Sequence, residues 1–217
     1  YKEVIQKGCK EIAFSDGGQY FACASGINLV VFNTQSFDKL STFQGHMMPI
    51  KRICWVPGDL VVFSAGVDGT VYGWPISRDG RIDVLVSNPR ASSILSIEVD
   101  SNSLAFLPPL VEGSDDGAPA TRVEEARSVC VASMDGRIKL PPWSYTEHHP
   151  GFSPEEMDRT IWGEGEEAIT CMKLSSARRL MYAGTKAGTV RCYAWPPVND
   201  NKVGIYTELH VHSGPVM

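Results

Sequence analysis

The 217-residue chain lacks long hydrophobic runs, paired cysteines and the short catalytic signatures that can be recognised in a single sequence. No apolar stretch approaches the roughly 18 residues that a membrane-spanning helix needs, and no basic and apolar leader opens the chain. The first residue is Tyr1 rather than an initiator methionine. We therefore expect a piece of a longer, soluble, non-secreted polypeptide with no membrane partner.

The cysteines have none of the spacing that marks a disulfide framework or a zinc site. No C-x-x-C pair occurs, and every cysteine lies within an apolar run that resembles a strand: Cys9, Cys23, Cys54, Cys130, Cys171 and Cys192. Secreted disulfide frameworks usually place cysteines in the loops of a much smaller chain. The sequence therefore predicts reduced, buried thiols in a cytoplasmic compartment.

The net charge of −5 is unevenly distributed along the chain. Residues 100–127 and 141–167 hold 13 of the 25 acidic residues and 3 of the 20 basic residues, which leaves 12 acidic and 17 basic residues elsewhere. The basic excess is too dispersed for a nucleic-acid interface, which needs clustered Lys and Arg. We expect no nucleic-acid partner, and we interpret the two acidic stretches as solvated loops.

No arrangement of residues predicts catalysis. Asp16-Gly17-Gly18 lacks the Gly-Lys-Ser/Thr end of a phosphate-binding loop, and no G-x-S-x-G elbow is present. His210 and His212 would share one face of a strand, but no third metal ligand follows at a usable spacing. We predict no catalytic, cofactor or metal site and no small-molecule substrate.

A unit of four short strands repeats along the chain. In its clearest copy, a strand ends at Trp55, an apolar run covers 60–65, the tight-turn pair Asp68-Gly69 follows, and further strands cover 70–74 and 81–86. Four strands in about 40–45 residues form one blade of a β-propeller. The sequence predicts an all-β, partial propeller with four four-stranded blades at about 7–45, 46–87, 88–167 and 168–211, and the start of a fifth at 212–217.

The second copy resembles the WD-repeat family. Gly45-His46, Ser64, Asp68 and Trp74 match the Gly-His, Ser, Asp and Trp positions of that repeat. The resemblance implies a structural network in which His46 bridges Ser64 and Asp68, and Ser64 reaches the Trp74 indole. The other copies depart from the pattern, so only the second should carry the whole network: Gly26 and Ala187 replace the Asp, and Phe32, Pro141 and Tyr193 replace the Trp.

Segments 7–22, 64–74 and 183–191 are also similar to the second propeller of long WD-repeat and coiled-coil proteins of the ciliary and flagellar axoneme. The similarity fades in 100–167. It implies a structural component of the axoneme, in the cytoplasm and cytoskeleton of a cilium or flagellum, associated with inner dynein arm organisation. Its partners would be other proteins, including dynein-arm components.

Two alternatives remain open on the sequence alone. A cytosolic WD-repeat adaptor, such as a ubiquitin-ligase substrate receptor or a trafficking-coat subunit, would share the repeat. A propeller enzyme would need acids or histidines that converge on the central channel, and the strand starts offer none.

Within the acidic stretches, 154–159 has the pattern of a short helical turn. Two interpretations of the acidic stretches stay open: they bind a partner, or they are an insertion that the fold accommodates without a binding role.

Overall fold

A computed structural model of the chain describes residues 8–56, 58–59, 61–76, 85–87, 93–99, 129–139, 160–162, 167–175, 179–195 and 206–217. All regular elements in these ranges are β-strands, which confirms the predicted all-β class. Among the same residues, no helix is long and apolar enough to span a membrane. The predicted helical turn at 154–159 and the stretch 100–127 lie outside the described residues.

The strands form four antiparallel sheets, each with four strands in simple chain order. The first sheet contains β1 (Cys9–Phe14), β2 (Tyr20–Ser25), β3 (Asn28–Asn33) and β4 (Lys39–Gln44). The second contains β5 (Ile50–Trp55), β6 (Val61–Gly66), β7 (Val71–Pro75) and β8 (Leu85–Ser87). The third contains β9 (Ile94–Val99), β10 (Val129–Ser133), β11 (Ile138–Lys139) and β12 (Thr160–Trp162), and the fourth contains β13 (Ile169–Leu174), β14 (Leu180–Thr185), β15 (Thr189–Ala194) and β16 (Tyr206–His210). We refer to these sheets as blades 1 to 4.

One strand occurs where the sequence suggested only a loop. Thr160–Trp162 lies within the acidic stretch 141–167 and pairs with β11, Trp162 standing opposite Ile138. With three residues, this strand is too short to show an alternating pattern. Its pairing partner identifies it, and that partner cannot be read from local sequence.

The core consists of apolar layers between successive blades. The innermost strands β1, β5, β9 and β13 contact one another in that order. Blades 1 and 2 enclose a buried cluster that includes Leu29, Phe43 and Trp55. Blades 2 and 3 meet through Phe63, and Cys130 lies between blades 3 and 4. Each blade is therefore stabilised chiefly by the face that it shares with its neighbour.

The last residues of the chain repeat a contact made at the start of blade 2. The Ile50 amide donates to the Gly26 carbonyl of blade 1 at 2.9 Å, and the Val216 amide donates to the Thr185 carbonyl of blade 4 at 3.1 Å. Gly26 follows β2 and Thr185 is the last residue of β14, so the two contacts are similar but not identical in register.

The six cysteines are all free thiols. Cys23 and Cys130 are buried, whereas the other four are only partly buried, so the prediction of buried thiols holds for two positions. Burial raises the pKa of Cys23 to about 12, and the neighbouring Cys9 adds to this effect. Such thiols are packing groups rather than nucleophiles at neutral pH.

A polar contact joins blades 1 and 2 at the end of the inner strands. The Asp59 carboxylate, in the turn after β5, accepts hydrogen bonds from the Ser15 hydroxyl at 2.9 Å and from the Gly17 amide at 3.0 Å. Nearby, the Trp55 indole N–H donates to the Ala13 carbonyl at 3.0 Å. Asp59 has a φ of 60°, a left-handed conformation that Asp tolerates better than most residues.

We expect Asp59→Gly to lower the free energy of unfolding by about 1 kcal/mol, because glycine suits the left-handed backbone but removes both acceptor oxygens. Asp16→Asn, an exposed change in the turn that Asp59 contacts, is the control and should be near neutral. Urea unfolding of Asp59→Gly, Ser15→Ala and the double variant measures the coupling. Strict additivity of the two changes would contradict the contact.

Candidate functional site

The four residues predicted to form a network are brought together at one end of blade 2. His46 lies in the link between β4 and β5, Ser64 is in β6, Asp68 is in the β6–β7 turn, and Trp74 is in β7. His46, Ser64 and Trp74 are buried. The site thus ties the link that enters the blade to the two strands at its centre.

The hydrogen bonds in this network have one consistent direction. The Trp74 indole N–H donates to the Ser64 hydroxyl at 2.8 Å, and that hydroxyl lies 2.8 Å from His46 Nε2. Indole can only donate a hydrogen bond, and carboxylate can only accept one. His46 Nδ1, on the Asp68 side, therefore carries the ring proton, and the unprotonated Nε2 accepts a hydrogen bond from the Ser64 hydroxyl. Nδ1 then donates toward Asp68.

The link from histidine to aspartate passes through a residue that sequence reasoning missed. His46 Nδ1 is 3.4 Å from both Asp68 oxygens but only 3.1 Å from Thr70 Oγ1. The Thr70 hydroxyl in turn donates to Asp68 Oδ1 at 2.6 Å. Thr70 therefore accepts from His46 and donates to Asp68, which shortens a contact that would otherwise be long. Its place two residues after Asp68 in a tight turn is the only sequence signal.

The Asp68 carboxylate also organises the surrounding loops. It accepts the Thr70 amide at 3.0 Å, which closes its own turn, and the Met47 amide at 3.1 Å, which fixes the β4–β5 link. Gly66 makes room for this arrangement, because a Cβ at that position would lie 2.3 Å from Asp68 Oδ1 and 2.5 Å from His46 Nδ1. Any larger residue at position 66 would displace the network.

Aromatic rings shield the network from water. Tyr72 contacts the His46 ring edge to face at 4.7 Å between centroids and stacks on Trp74 at 5.1 Å. Phe43 also stacks on Trp74, at 5.0 Å between ring centroids. The low polarity around the hydrogen bonds strengthens each of them and makes an unpaired member costly.

Burial sets the charge state of the site. Burial lowers the pKa of His46, and this outweighs the opposing effect of Asp68. Burial alone would raise the pKa of Asp68, but hydrogen bonds from Thr70, with smaller effects from His46 and the Met47 amide, lower it overall. At neutral pH the site therefore holds a neutral imidazole and an ionised carboxylate, as the hydrogen-bond direction requires.

Blade 3 keeps an aspartate at the equivalent turn but pairs it with a different hydroxyl group. In blade 3, Asp135 accepts the Arg137 amide at 3.2 Å and a short hydrogen bond from the Ser133 hydroxyl. The Pro141 position lies outside the described residues.

In blade 4, where Ala187 replaces the aspartate, the Glu167 carboxylate accepts the Ala187 amide at 2.8 Å and pairs with Arg191 at 3.1 Å. Arg191 also donates to Glu208 at 3.0 Å. Blade 4 therefore lacks the aspartate of the WD pattern but forms ion pairs at the equivalent turn.

The remaining histidines show no comparable setting. His210 and His212 are exposed, and His148 and His149 lie outside the described residues. Within the described ranges, no group of three or more His, Cys, Asp or Glu residues is arranged to hold a metal ion.

Comparisons with known proteins agree with this geometry. The family "WD domain, G-beta repeat" matches residues 37–74, the segment that contains the whole network. The chain contains a WD repeat within a β-propeller fold. The predicted WD-repeat resemblance is thereby confirmed, and the strand order of each blade is that of a propeller blade.

Two relatives match nearly the whole chain. Cilia- and flagella-associated protein 57 of Mus musculus is 26% identical over 217 residues, which cover 100% of this chain and 14% of the relative. Cilia- and flagella-associated protein 57 C of Tetrahymena thermophila is also 26% identical, over 98% of this chain and 15% of the relative. The chain spans about a seventh of the length of these two proteins.

A solved structure supports the fold. The β-propeller domain of Cps50 (Swd1) from Myceliophteria thermophila superimposes with a TM-score of 0.65 at 14% identity. The match covers 98% of this chain and 58% of that chain. At this identity the likeness concerns the fold alone.

We expect His46→Ala to lower the free energy of unfolding by about 1–3 kcal/mol, because it leaves Ser64 and Thr70 short of a partner in the buried part of the WD repeat. His212→Ala removes an exposed histidine and should change stability by less than about 0.5 kcal/mol. Chemical unfolding at pH 7 measures both. Equal effects of the two changes would show that the network contributes no stability.

The WD repeat should also lose stability as the pH falls. Since burial lowers the His46 pKa in the folded state, the unfolded chain takes up the proton first as the pH drops through the ordinary histidine range near 6.5. The stabilisation is thus present above that range and lost below it, with a slope of at most about 1.4 kcal/mol per pH unit.

The measurement is the difference in unfolding free energy between the unsubstituted chain and His46→Asn at several pH values. That difference should shrink between pH 7 and pH 5, and subtraction removes the titration of other groups. The corresponding difference for Met134→Asn, an exposed position with no ionisable group, is the control and should stay flat. A constant difference for His46→Asn would contradict a neutral buried imidazole.

Proposed function

We propose that the chain is part of a non-catalytic protein-interaction scaffold of the cilium or flagellum, a structural component of the axoneme associated with inner dynein arm organisation. The observation that carries this proposal is the end-to-end similarity to cilia- and flagella-associated protein 57 from two distant organisms. A repeat match alone would cover one blade, whereas this similarity includes all four.

The proposal includes the organisation of the chain as one part of a single propeller. Its blades would be 7–45, 46–87, 88–167 and 168–211, with 212–217 in the next blade. The shared apolar layers support this division, because no blade could bury its faces alone.

A binding role fits the surface above the WD network. Four exposed apolar side chains lie in the loops of this end: Ile27, Met47, Met48 and Val67. Met47 is 88% exposed although its amide is fixed by Asp68, and the Val67 amide donates to the Pro49 carbonyl at 3.0 Å. We name these four residues the loop patch. A rigid backbone that presents flexible methionine side chains is suited to protein contact.

The polar residues of the network are poorly placed for chemistry. Both ring nitrogens of His46 are engaged, and Asp68 accepts donors from two loops. A general base must reach a proton on the substrate, and a buried imidazole with two partners cannot do so without losing them. Their role in the proposal is to hold the loops that carry the patch.

Proximity labelling of the complete polypeptide in ciliated cells tests this function. We expect labelled axonemal doublet and dynein-arm proteins. Labelling of ubiquitin-ligase or trafficking-coat subunits instead would replace the proposal with a cytosolic adaptor.

A variant pair tests the loop patch in the same experiment. Met47→Glu with Met48→Glu should reduce recovery of the partners, because it places charge in the patch. Leu40→Glu changes a similarly exposed apolar residue near the start of β4, at the opposite end of that strand from the patch, and should leave recovery unchanged. Equal recovery with both variants would move the binding surface elsewhere.

A further inference from the structure

Apart from the last residue of the chain, the described methionines fall into an exposed set in loops and a buried pair in the core. Met47, Met48 and Met134 are exposed. Met172 and Met181 are buried in the apolar layer between blades 3 and 4. The thioether sulfurs of the first set are therefore accessible to a dissolved reagent, whereas those of the second set are not.

Met134 lies at the same end of the blades as the loop patch, but on blade 3. Its amide donates to the Ser93 carbonyl, just before β9, at 2.9 Å. The Val67 amide makes the same bond to the Pro49 carbonyl, just before β5, at 3.0 Å. Met134 therefore occupies the turn of blade 3 that corresponds to the turn of Val67 in blade 2. It is an exposed methionine outside the loop patch.

The loop that carries the two methionines of the patch is held by the WD network. The Met47 amide donates to Asp68 Oδ2 at 3.1 Å, and the same carboxylate is held by Thr70. The Met47 side chain itself is 88% exposed, and none of these bonds involves it. A chemical change at the thioether therefore alters the polarity of the surface and leaves the backbone beneath it in place.

Exposed thioethers react with hydroperoxides. With hydrogen peroxide, the sulfur attacks one oxygen, an S–O bond forms, the O–O bond breaks, and the second oxygen leaves as water with both protons. The sulfur is oxidised by two electrons and the peroxide is reduced by two. The product is a sulfoxide, a polar group that accepts hydrogen bonds, and methionine sulfoxide reductases convert it back to the thioether.

We propose that Met47 and Met48 form a reversible sulfoxidation site through which a hydroperoxide releases the protein partner of the loop patch. The release presupposes the proposed function, in which this patch binds protein. In the reduced state the two thioethers cover apolar surface of the partner. In the oxidised state each sulfoxide oxygen must either give up its water inside the contact or keep the two surfaces apart. Sulfoxidation of Met134, outside the patch, leaves the contact unchanged.

Peptide mapping by mass spectrometry measures the chemistry at each site. The complete polypeptide in which the chain occurs is treated with hydrogen peroxide for increasing times. We expect Met47, Met48 and Met134 to be oxidised at least about 10-fold faster than Met172 and Met181. Oxidation of Met47 and Met48 at the rate of the buried pair would overturn the proposal.

Recovery of partners measures the consequence. The tagged complete polypeptide, untreated or treated with hydrogen peroxide, is mixed with axonemal extract, and the recovered doublet and dynein-arm proteins are quantified by mass spectrometry. We expect recovery to fall at least about 5-fold after treatment. Methionine sulfoxide reductases should restore it, whereas a thiol reductant, which acts on oxidised cysteines, should not.

Leucine variants identify the methionines that are responsible, each compared with its own untreated sample. Met47→Leu with Met48→Leu keeps the patch apolar but removes both sulfurs, so treatment should change its recovery by less than about 2-fold. Met134→Leu is the matched control and should stay as sensitive to peroxide as the unsubstituted protein.

The outcomes separate the sulfoxidation site from the proposed function. Recovery that peroxide leaves unchanged would overturn the site alone, and no recovery by the untreated, unsubstituted protein would overturn both. Sensitivity that persists in the double leucine variant, or that is lost in Met134→Leu, would assign the effect to other residues and overturn the site. Loss of the partners from the untreated double leucine variant would show that the contact is not a general apolar one, and would overturn it too.

Discussion

The structure depends on the need of every sheet to bury two apolar faces. A single four-stranded sheet in water cannot do this, so blades 2 and 3 each share one apolar layer with the blade before and another with the blade after. Small residues such as Ala65 and Ala132 set the spacing, because they allow the next inner strand to approach closely. This packing sets the relative orientation of the blades. It therefore also sets the positions of the polar groups at the ends of the blades.

The hydrogen-bonded network of blade 2 is a consequence of that dry environment. Its direction, from the Trp74 donor to the Asp68 acceptor, requires one neutral imidazole tautomer and leaves no spare proton. Thr70 completes the network, because His46 Nδ1 lies 3.1 Å from the Thr70 hydroxyl but 3.4 Å from the Asp68 carboxylate oxygen. Because Asp68 also holds the Met47 amide, the internal network and the outer loop form one unit.

The sequence predicted the strands well where the pattern was local. Turn pairs such as Asp68-Gly69 and runs such as 60–65 report directly on backbone conformation and burial. What it could not predict depends on distances between blades. Asp59 and Ser15, which form a hydrogen bond, are 44 positions apart in the sequence. The role of Thr70 depends on the position of the His46 ring, which the sequence of the turn does not contain.

Blade 4 shows why a missing network residue does not mean a missing network. With Ala187 in place of aspartate, Glu167 from the preceding link supplies the carboxylate, and Arg191 bridges it to Glu208. The turn needs an acceptor for its amides, but the fold does not specify which residue provides it. Polar groups at blade ends can therefore change from repeat to repeat while the apolar layers stay constant. In this way one strand architecture presents chemically different loops at the ends of its blades.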